Sequence, residues 1–190
     1  MSNQSLSPED RNYLLELARN AIKQAIQRQS LPEIDLATLS PELISNGAAF
    51  VTLTINGQLR GCIGTLEAYQ PLAIDVREHA VAAALEDYRF PPVTTGELKS
   101  IKIEISRLTQ PIPCTYTDTE SLIQKLRPNI DGVILTDGFQ RATFLPQVWE
   151  QLPRPEEFLS HLCAKMGSNP ETWQKKHLDV STYQVEEFHE

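Results

Sequence analysis

Apolar residues along this chain recur with two different periods, and the places where the period changes divide it into elements. Leu14, Leu17, Ala18, Ala21, Ile22, Ala25 and Ile26 recur at helical spacing, which predicts one amphipathic helix running to about Gln29. Ser7-Pro8-Glu9-Asp10 starts it with an N-cap hydroxyl, a proline at N1 and carboxylates at the positive end of the dipole. An irregular connection punctuated by Pro32 and Pro41 follows. The period then shortens to two in "GAAFVTLTI", a strand, and Asn56-Gly57 is a strong hairpin signal.

The alternation also constrains the hairpin's faces. A three-residue loop, Ile55-Asn56-Gly57 with a left-handed Gly57, places Ala49, Val51, Leu53, Leu59 and Ile63 together on an apolar face. Phe50, Thr52, Thr54, Arg60 and Cys62 then share the other face. A two-residue loop would set Arg60 and Cys62 beside Val51, Leu53 and Ile55 and mix the two, so the longer loop is expected.

Further on, a helix opens at Pro71 and runs to about Glu86, burying Leu72, Val76, Ala80 and Ala83, until "DYRFPPVT" stops it. Ile101, Ile103 and Ile105 mark a half-buried strand, and Asp118 or Thr119 caps a short helix through Leu122, Ile123 and Leu126. "DGVILTDGFQRATFLP" reads as a second hairpin turning at Asp137-Gly138. Pro146 and Pro155 begin two short helices, the second ending at a C′ Gly167, and "DVSTYQVEEF" is a closing strand.

The element order repeats. A shift of 81 positions lays Asn56-Gly57 on Asp137-Gly138 and Arg60 on Arg141. The expected fold is therefore α+β: two degenerate β-and-α repeats forming one curved, barrel-like mixed or antiparallel sheet with flanking helices. A chain of 190 residues fits a single domain, or two lobes of approximately 1–110 and 111–190.

Charge and cysteine content narrow the setting. A net charge of −8 argues against direct nucleic-acid binding, which needs clustered Lys and Arg. The longest small apolar run, "AVAAAL", is too short for a bilayer, and the first twenty residues hold Glu9, Asp10 and Glu16 with no apolar signal segment. Three dispersed cysteines, Cys62, Cys114 and Cys163, without a C-x-x-C point to a reducing cytoplasm. No histidine or cysteine spacing suits a metal, and no glycine-rich motif suits a dinucleotide or phosphate, so no cofactor is expected.

Candidate chemistry centres on "LRGCIG". Arg60 and Cys62, two apart on a strand, point the same way, and a cation beside a thiol favours thiolate. Gly61 and Gly64 leave room for a ligand or another backbone. "DYRFPP" is the second candidate, a stiff loop in which Arg89 serves an anion and Asp87 and Phe90 either join the site or merely anchor the loop. His79, with Asp75 one turn earlier, has the pattern of an oriented base or of a hydrogen-bonded core histidine.

"LRGCIG", "DYRFPPVT", "FLPQVW" and the "KMG" of Lys165 to Gly167, in that order, resemble the AMMECR-type domain family over nearly the entire chain. The resemblance implies a compact α+β fold of two similar repeats. It also implies association with a radical-SAM enzyme and a Memo-type protein in the AmmeMemoRadiSam system. The family's signature falls on Arg60, Gly61, Cys62, Gly64, Asp87, Arg89, Phe90, Pro91, Pro92, Phe144, Leu145, Pro146 and Lys165. This chain departs from it at Tyr88, where a small residue is usual, and at Met166, where alanine is common.

Two functions stay open. One is an accessory binding module with a pocket lined by the RGCIG strand and the RFPP loop, taking a small anionic ligand or docking to those partners. The other is an enzyme with Cys62 as nucleophile, Arg60 lowering its pKa, Arg89 binding an anionic substrate, and Lys165 or His79 handling protons.

Overall fold

The computed structural model describes residues 5–190. In chain order its elements begin with α1 (Pro8–Ile26), α2 (Pro41–Ile44), β1 (Asn46–Ile55), β2 (Gln58–Gly64), β3 (Gln70–Pro71), α3 (Leu72–Leu85) and β4 (Ile101–Leu108). They continue with β5 (Ile112–Pro113), α4 (Thr119–Lys125), β6 (Gly132–Asp137), β7 (Gln140–Phe144), α5 (Pro155–Lys165), α6 (Thr172–Lys175), β8 (Asp179–Tyr183) and β9 (Val185–His189). The chain divides into two compact units, the first reaching to Leu108 and taking back Glu186–Glu190, the second spanning Thr109–Val185.

Unit 1 is a sheet of order β2-β1-β4-β9, with β3 also on β1. β1 and β4 run antiparallel with Val51 opposite Ile105, Leu53 opposite Ile103 and Ile55 opposite Ile101. The side chains of Val51, Leu53, Ile101, Ile103 and Ile105 form a single buried layer, as the alternation predicts. That layer meets the Leu14, Ala18 and Ile22 stripe of α1 and the Leu72, Val76, Ala80 and Ala83 stripe of α3. Ser7 caps α1 as expected, accepting from the Asp10 N–H at 3.0 Å.

Unit 2 is an antiparallel sheet of order β5-β8-β6-β7. Val133 and Leu135 cover a core of Trp149, Phe158, Leu159 and Leu162. Trp149 stacks on Phe158 with ring centroids 3.7 Å apart, and its indole N–H donates to the Asp131 carbonyl at 2.7 Å. This resolves the polar end of the buried indole.

Three expectations change. Instead of one curved, barrel-like sheet, the described strands form two sheets and no closed barrel. After Leu108 the chain enters Gln110-Pro111-Ile112-Pro113, whose prolines donate no ladder hydrogen bonds, so β5 adds only two residues and pairs with β8. The single closing strand is split at Gln184, β8 belonging to the second sheet and β9 to the first. The short helix opening at Pro146 takes the 3₁₀ form, over Pro146–Glu150. The second hairpin pairs Asp137 with Gln140, so its tip is Gly138-Phe139 and not Asp137-Gly138.

Candidate functional site

The β1–β2 hairpin shows how local chemistry sets the site. Ile55 pairs with Gln58, and Asn56 and Gly57 both have positive φ, 52° and 77°, which makes a two-residue type I′ turn. The three-residue loop expected from the sequence does not form. A bulge between Leu53 and Thr54, with Arg60 as the extra residue on β2, reverses the faces instead. Beyond it Cys62 lies opposite Thr52 and Ile63 opposite Val51, the sorting the apolar pattern demands. Leu59, before the bulge, faces Thr54 and is 44% exposed, contrary to its expected inward place.

The two glycines have packing reasons. A Cβ on Gly61 would sit 2.1 Å from the Ala83 carbonyl oxygen of α3. One on Gly64 would sit 2.4 Å from the Ala49 oxygen and 2.5 Å from the Phe50 Cα. The room they leave is occupied by neighbouring backbone, one of the two uses the sequence allows.

The Cys62 peptide is held on both sides by one short loop. Its N–H donates to Asp87 Oδ2 at 2.9 Å, and its carbonyl accepts from Arg89 Nη2 at 3.1 Å. Asp87, only 4% exposed, also accepts from the Arg89 N–H at 3.1 Å, Nε at 2.9 Å and Nη2 at 2.7 Å. The Arg89 guanidinium, helped by the Cys62 and Arg89 N–H groups, holds the Asp87 carboxyl well below the usual carboxylate range despite its burial. The loop itself is tied down by Phe90 N–H to the Asp87 carbonyl and Val93 N–H to the Ala84 carbonyl, at 3.0 and 2.8 Å. "RGC" and "D-x-R" are thus halves of one clamp.

The clamp leaves part of the loop in water. Arg89's side chain is 43% exposed and lies over Phe90 with the guanidinium carbon 5.6 Å from the ring centre, while Tyr88 is 93% exposed. The Cys62 thiol, half-buried, accepts from the Thr52 hydroxyl at 3.3 Å. Glu104 stands opposite Thr52 on the next strand, so thiol, hydroxyl and carboxylate form a row across β2, β1 and β4.

Arg60, expected beside the thiol, is engaged by a carboxylate of another loop. Its Nε donates to Glu97 Oε1 at 2.8 Å, and Glu97 also caps Thr94 in a capping box. Arg60, then the Thr94 N–H, pulls Glu97 down to about 2. The cation whose guanidinium meets the Cys62 backbone is Arg89. The pattern Thr94-x-x-Glu97 was readable as a cap, but nothing local announces Glu97 as the partner of Arg60.

His79 and Lys165 have partners of their own. His79 Nδ1 lies 3.2 Å from Asp75 Oδ2, off the line of a good hydrogen bond, and Asp75 is fully buried and accepts the Ala49 N–H at 3.0 Å. The adjoining carboxylate pushes the imidazole pKa up. Lys165 belongs to unit 2, where its ammonium donates to the Thr143 carbonyl at 2.9 Å and lies 5.1 Å from the Phe144 ring centre. Among the described residues no group of three His, Cys, Asp or Glu could hold a metal, and no helix is long and apolar enough to cross a membrane.

Comparison with known proteins gives matches across this whole arrangement. The AMMECR1 family model matches residues 15–188. A protein of Thermofilum pendens is 36% identical, with 96% of this chain and 91% of its own length aligned. A protein of Methanothermobacter thermautotrophicus is 35% identical over 97% of this chain and 96% of its own. The crystal structure of an uncharacterized protein from Pyrococcus horikoshii superposes with a TM-score of 0.75 at 32% identity, covering 97% of this chain and 93% of that one.

Proposed function

The chain belongs to the AMMECR1 family, and from that premise we propose that it is an accessory binding module. Its contact surface is β2 around Cys62 together with the 87–92 loop. The observation that carries this reading is the clamp: a buried Asp87 immobilises a loop whose Tyr88 and Arg89 still face water. An aromatic and an arginine on a rigid mount are what protein contacts use most. The pocket expected between strand and loop, and a small anionic ligand at the outward guanidinium, belong to the same proposal. The partners are a radical-SAM enzyme and a Memo-type protein, as the family resemblance implies, and the setting is the cytoplasm, where its three free thiols persist.

This reading also takes the two units as degenerate copies. Cys62 and Thr143 stand 81 positions apart (143 − 62), each on the outer strand of its hairpin. Each has its carbonyl capped by a cation lying over a phenylalanine, Arg89 on Phe90 and Lys165 on Phe144.

A second reading, an enzyme with Cys62 as thiol nucleophile, is favoured by the Thr52 hydroxyl on the thiol and by the Glu104 carboxylate opposite Thr52. One experiment separates them. Wild-type, Tyr88→Ala and Cys62→Ala chains are passed at low salt over the immobilised radical-SAM enzyme and Memo-type protein. The binding module requires wild type to be retained, Tyr88→Ala to be weakened, and Cys62→Ala to bind as wild type. No retention of wild type rejects it. Full retention of Tyr88→Ala, with function of the assembled system lost in Cys62→Ala, transfers the weight to the thiol.

A further inference from the structure

Between Arg89 and Thr94 the backbone has no donor left to give. The Arg89 N–H goes to Asp87 Oδ1 at 3.1 Å and the Phe90 N–H to the Asp87 carbonyl at 3.0 Å. Pro91 and Pro92 carry no N–H at all. The Val93 N–H goes to the Ala84 carbonyl and the Thr94 N–H to Glu97 Oε2, each at 2.8 Å. Acceptors are left open: no donor among the described residues reaches the Phe90, Pro91 or Pro92 carbonyl. The run thus offers acceptors and no backbone donor.

The same run is stiff and held at both ends. Pro91 has its φ fixed by its own ring and its ψ kept extended by Pro92, so it is a polyproline II residue. Phe90, preceding a proline in its turn, is kept from helical backbone. Neither proline joins a helix or a sheet, and both are exposed. At one end stands the buried Asp87. At the other Val93 is buried, and Glu97, itself fixed by Arg60, holds Thr94. What lies between these posts is ordered before anything binds it.

These properties select the occupant. A strand adding itself to the loop needs donors as well as acceptors, and finds only acceptors. A cation fails too, because successive carbonyls of a polyproline II segment point about 120° apart and do not converge on one ion. Proline rings with open carbonyls between them suit a groove walled by aromatic side chains that also carry donors, an indole N–H or a phenol. We propose that Phe90-Pro91-Pro92 is a polyproline II ligand that lies in such a groove on a folded partner protein. The proposal rests on the binding-module reading and names how the 87–92 loop is read.

The test uses the full chain, titrated by calorimetry against the radical-SAM enzyme and the Memo-type protein separately. The variants are Pro91→Ala, Pro92→Ala and Tyr88→Ala, and the chain alone is followed by sedimentation. Either proline variant should weaken binding to one of the two proteins about tenfold, as the loss of a hot-spot residue does. Its melting temperature should stay within about 4 °C of wild type, the effect of a freer unfolded chain. Hexaproline, a polyproline II peptide, should compete with wild type at millimolar concentration, and a glycine-serine peptide of equal length should not. If both proline variants bind both proteins as wild type does while Tyr88→Ala is weakened, this inference falls and the binding module stands. If the proline variants are weakened and hexaproline does not compete, the prolines act only by shaping the loop, and the inference falls in the same way. If wild type binds neither protein, both readings fall. If the chain alone self-associates and Pro92→Ala abolishes that, the groove belongs to a second copy and the proposed partner is wrong.

Discussion

Replacing Gly61 by alanine tests the packing account of β2 directly. The added Cβ would lie 2.1 Å from the Ala83 oxygen, where real Cβ atoms essentially never come within 3.0 Å. α3 and β2 must therefore separate by about 1 Å, and the obstacle is helix backbone, which cannot swing aside as a flexible side chain would. α3 carries Leu72, Val76, Ala80 and Ala83 into the core, all at most 1% exposed. A gap of that size forfeits about a quarter to a half of the dispersion energy at each affected contact.

Overpacking of this kind costs roughly 1–3 kcal/mol, and the rigid obstacle puts Gly61→Ala at the upper end. Stiffening of the unfolded chain by alanine returns about 0.4–1 kcal/mol. The net loss is about 2–2.5 kcal/mol, which for a chain of this length lowers the melting temperature by roughly 4–10 °C. Urea unfolding followed by circular dichroism reads it as a lower midpoint at unchanged slope. Gly96→Ala is the control: its nearest heavy atom is 4.0 Å away, and the change should stay within about 0.5 kcal/mol. If Gly61→Ala is no less stable than Gly96→Ala, the close approach of α3 is not what the glycine serves.

Asp87→Asn leaves the Cys62 and Arg89 donors short of acceptors and should cost about 2–3 kcal/mol at neutral pH, a figure held down because half-exposed Arg89 regains water. Because the folded carboxyl titrates below its ordinary 3.8, that stabilisation is full above 3.8 and is lost as the pH falls through the folded value. Wild type and variant should therefore converge in acid; a gap undiminished there refutes the clamp's charge. His79 behaves in the opposite sense: Asp75 raises its pKa above 6.5, so its contribution is present below 6.5 and fades as the pH rises through the folded value. His79→Asn should remove that alkaline loss in unfolding curves, and an imidazole titration by NMR should show the raised pKa. In native alkylation read by mass spectrometry, half-exposed Cys62 should react before Cys114 and Cys163, whose thiols burial pushes up. Cys163 reacting first would contradict the packing of unit 2.

Elements with long, clean periods were legible from the residues alone. Ile101, Ile103 and Ile105 gave β4 its face, and the α1 and α3 stripes lie where their spacing put them. Even the sorting of Thr52 with Cys62 came from the apolar pattern, because core burial fixes side-chain parity whatever device achieves it. The device was hidden. The bulge leaves Arg60 as an extra residue, and its guanidinium is engaged by Glu97, 37 residues later, a contact no local window contains. The clamp was hidden for a different reason: Asp87 and Arg89 bind the backbone of Cys62, and peptide groups are the same at every position. The split at Gln184 was masked because both halves of the closing segment alternate alike.

The clamp has one more consequence. Among the described residues, β2 is the last strand on its side of the first sheet, with β1 its neighbour across the ladder. There the Asp87 carboxylate and the Arg89 guanidinium stand where the carbonyl and N–H of an adjoining chain would stand. An open edge is a template for intermolecular strand pairing, and here it is plugged by two side chains of the same molecule. A chain stripped of this plug should form sheet-rich aggregates as its concentration rises, even under conditions where each molecule is still folded.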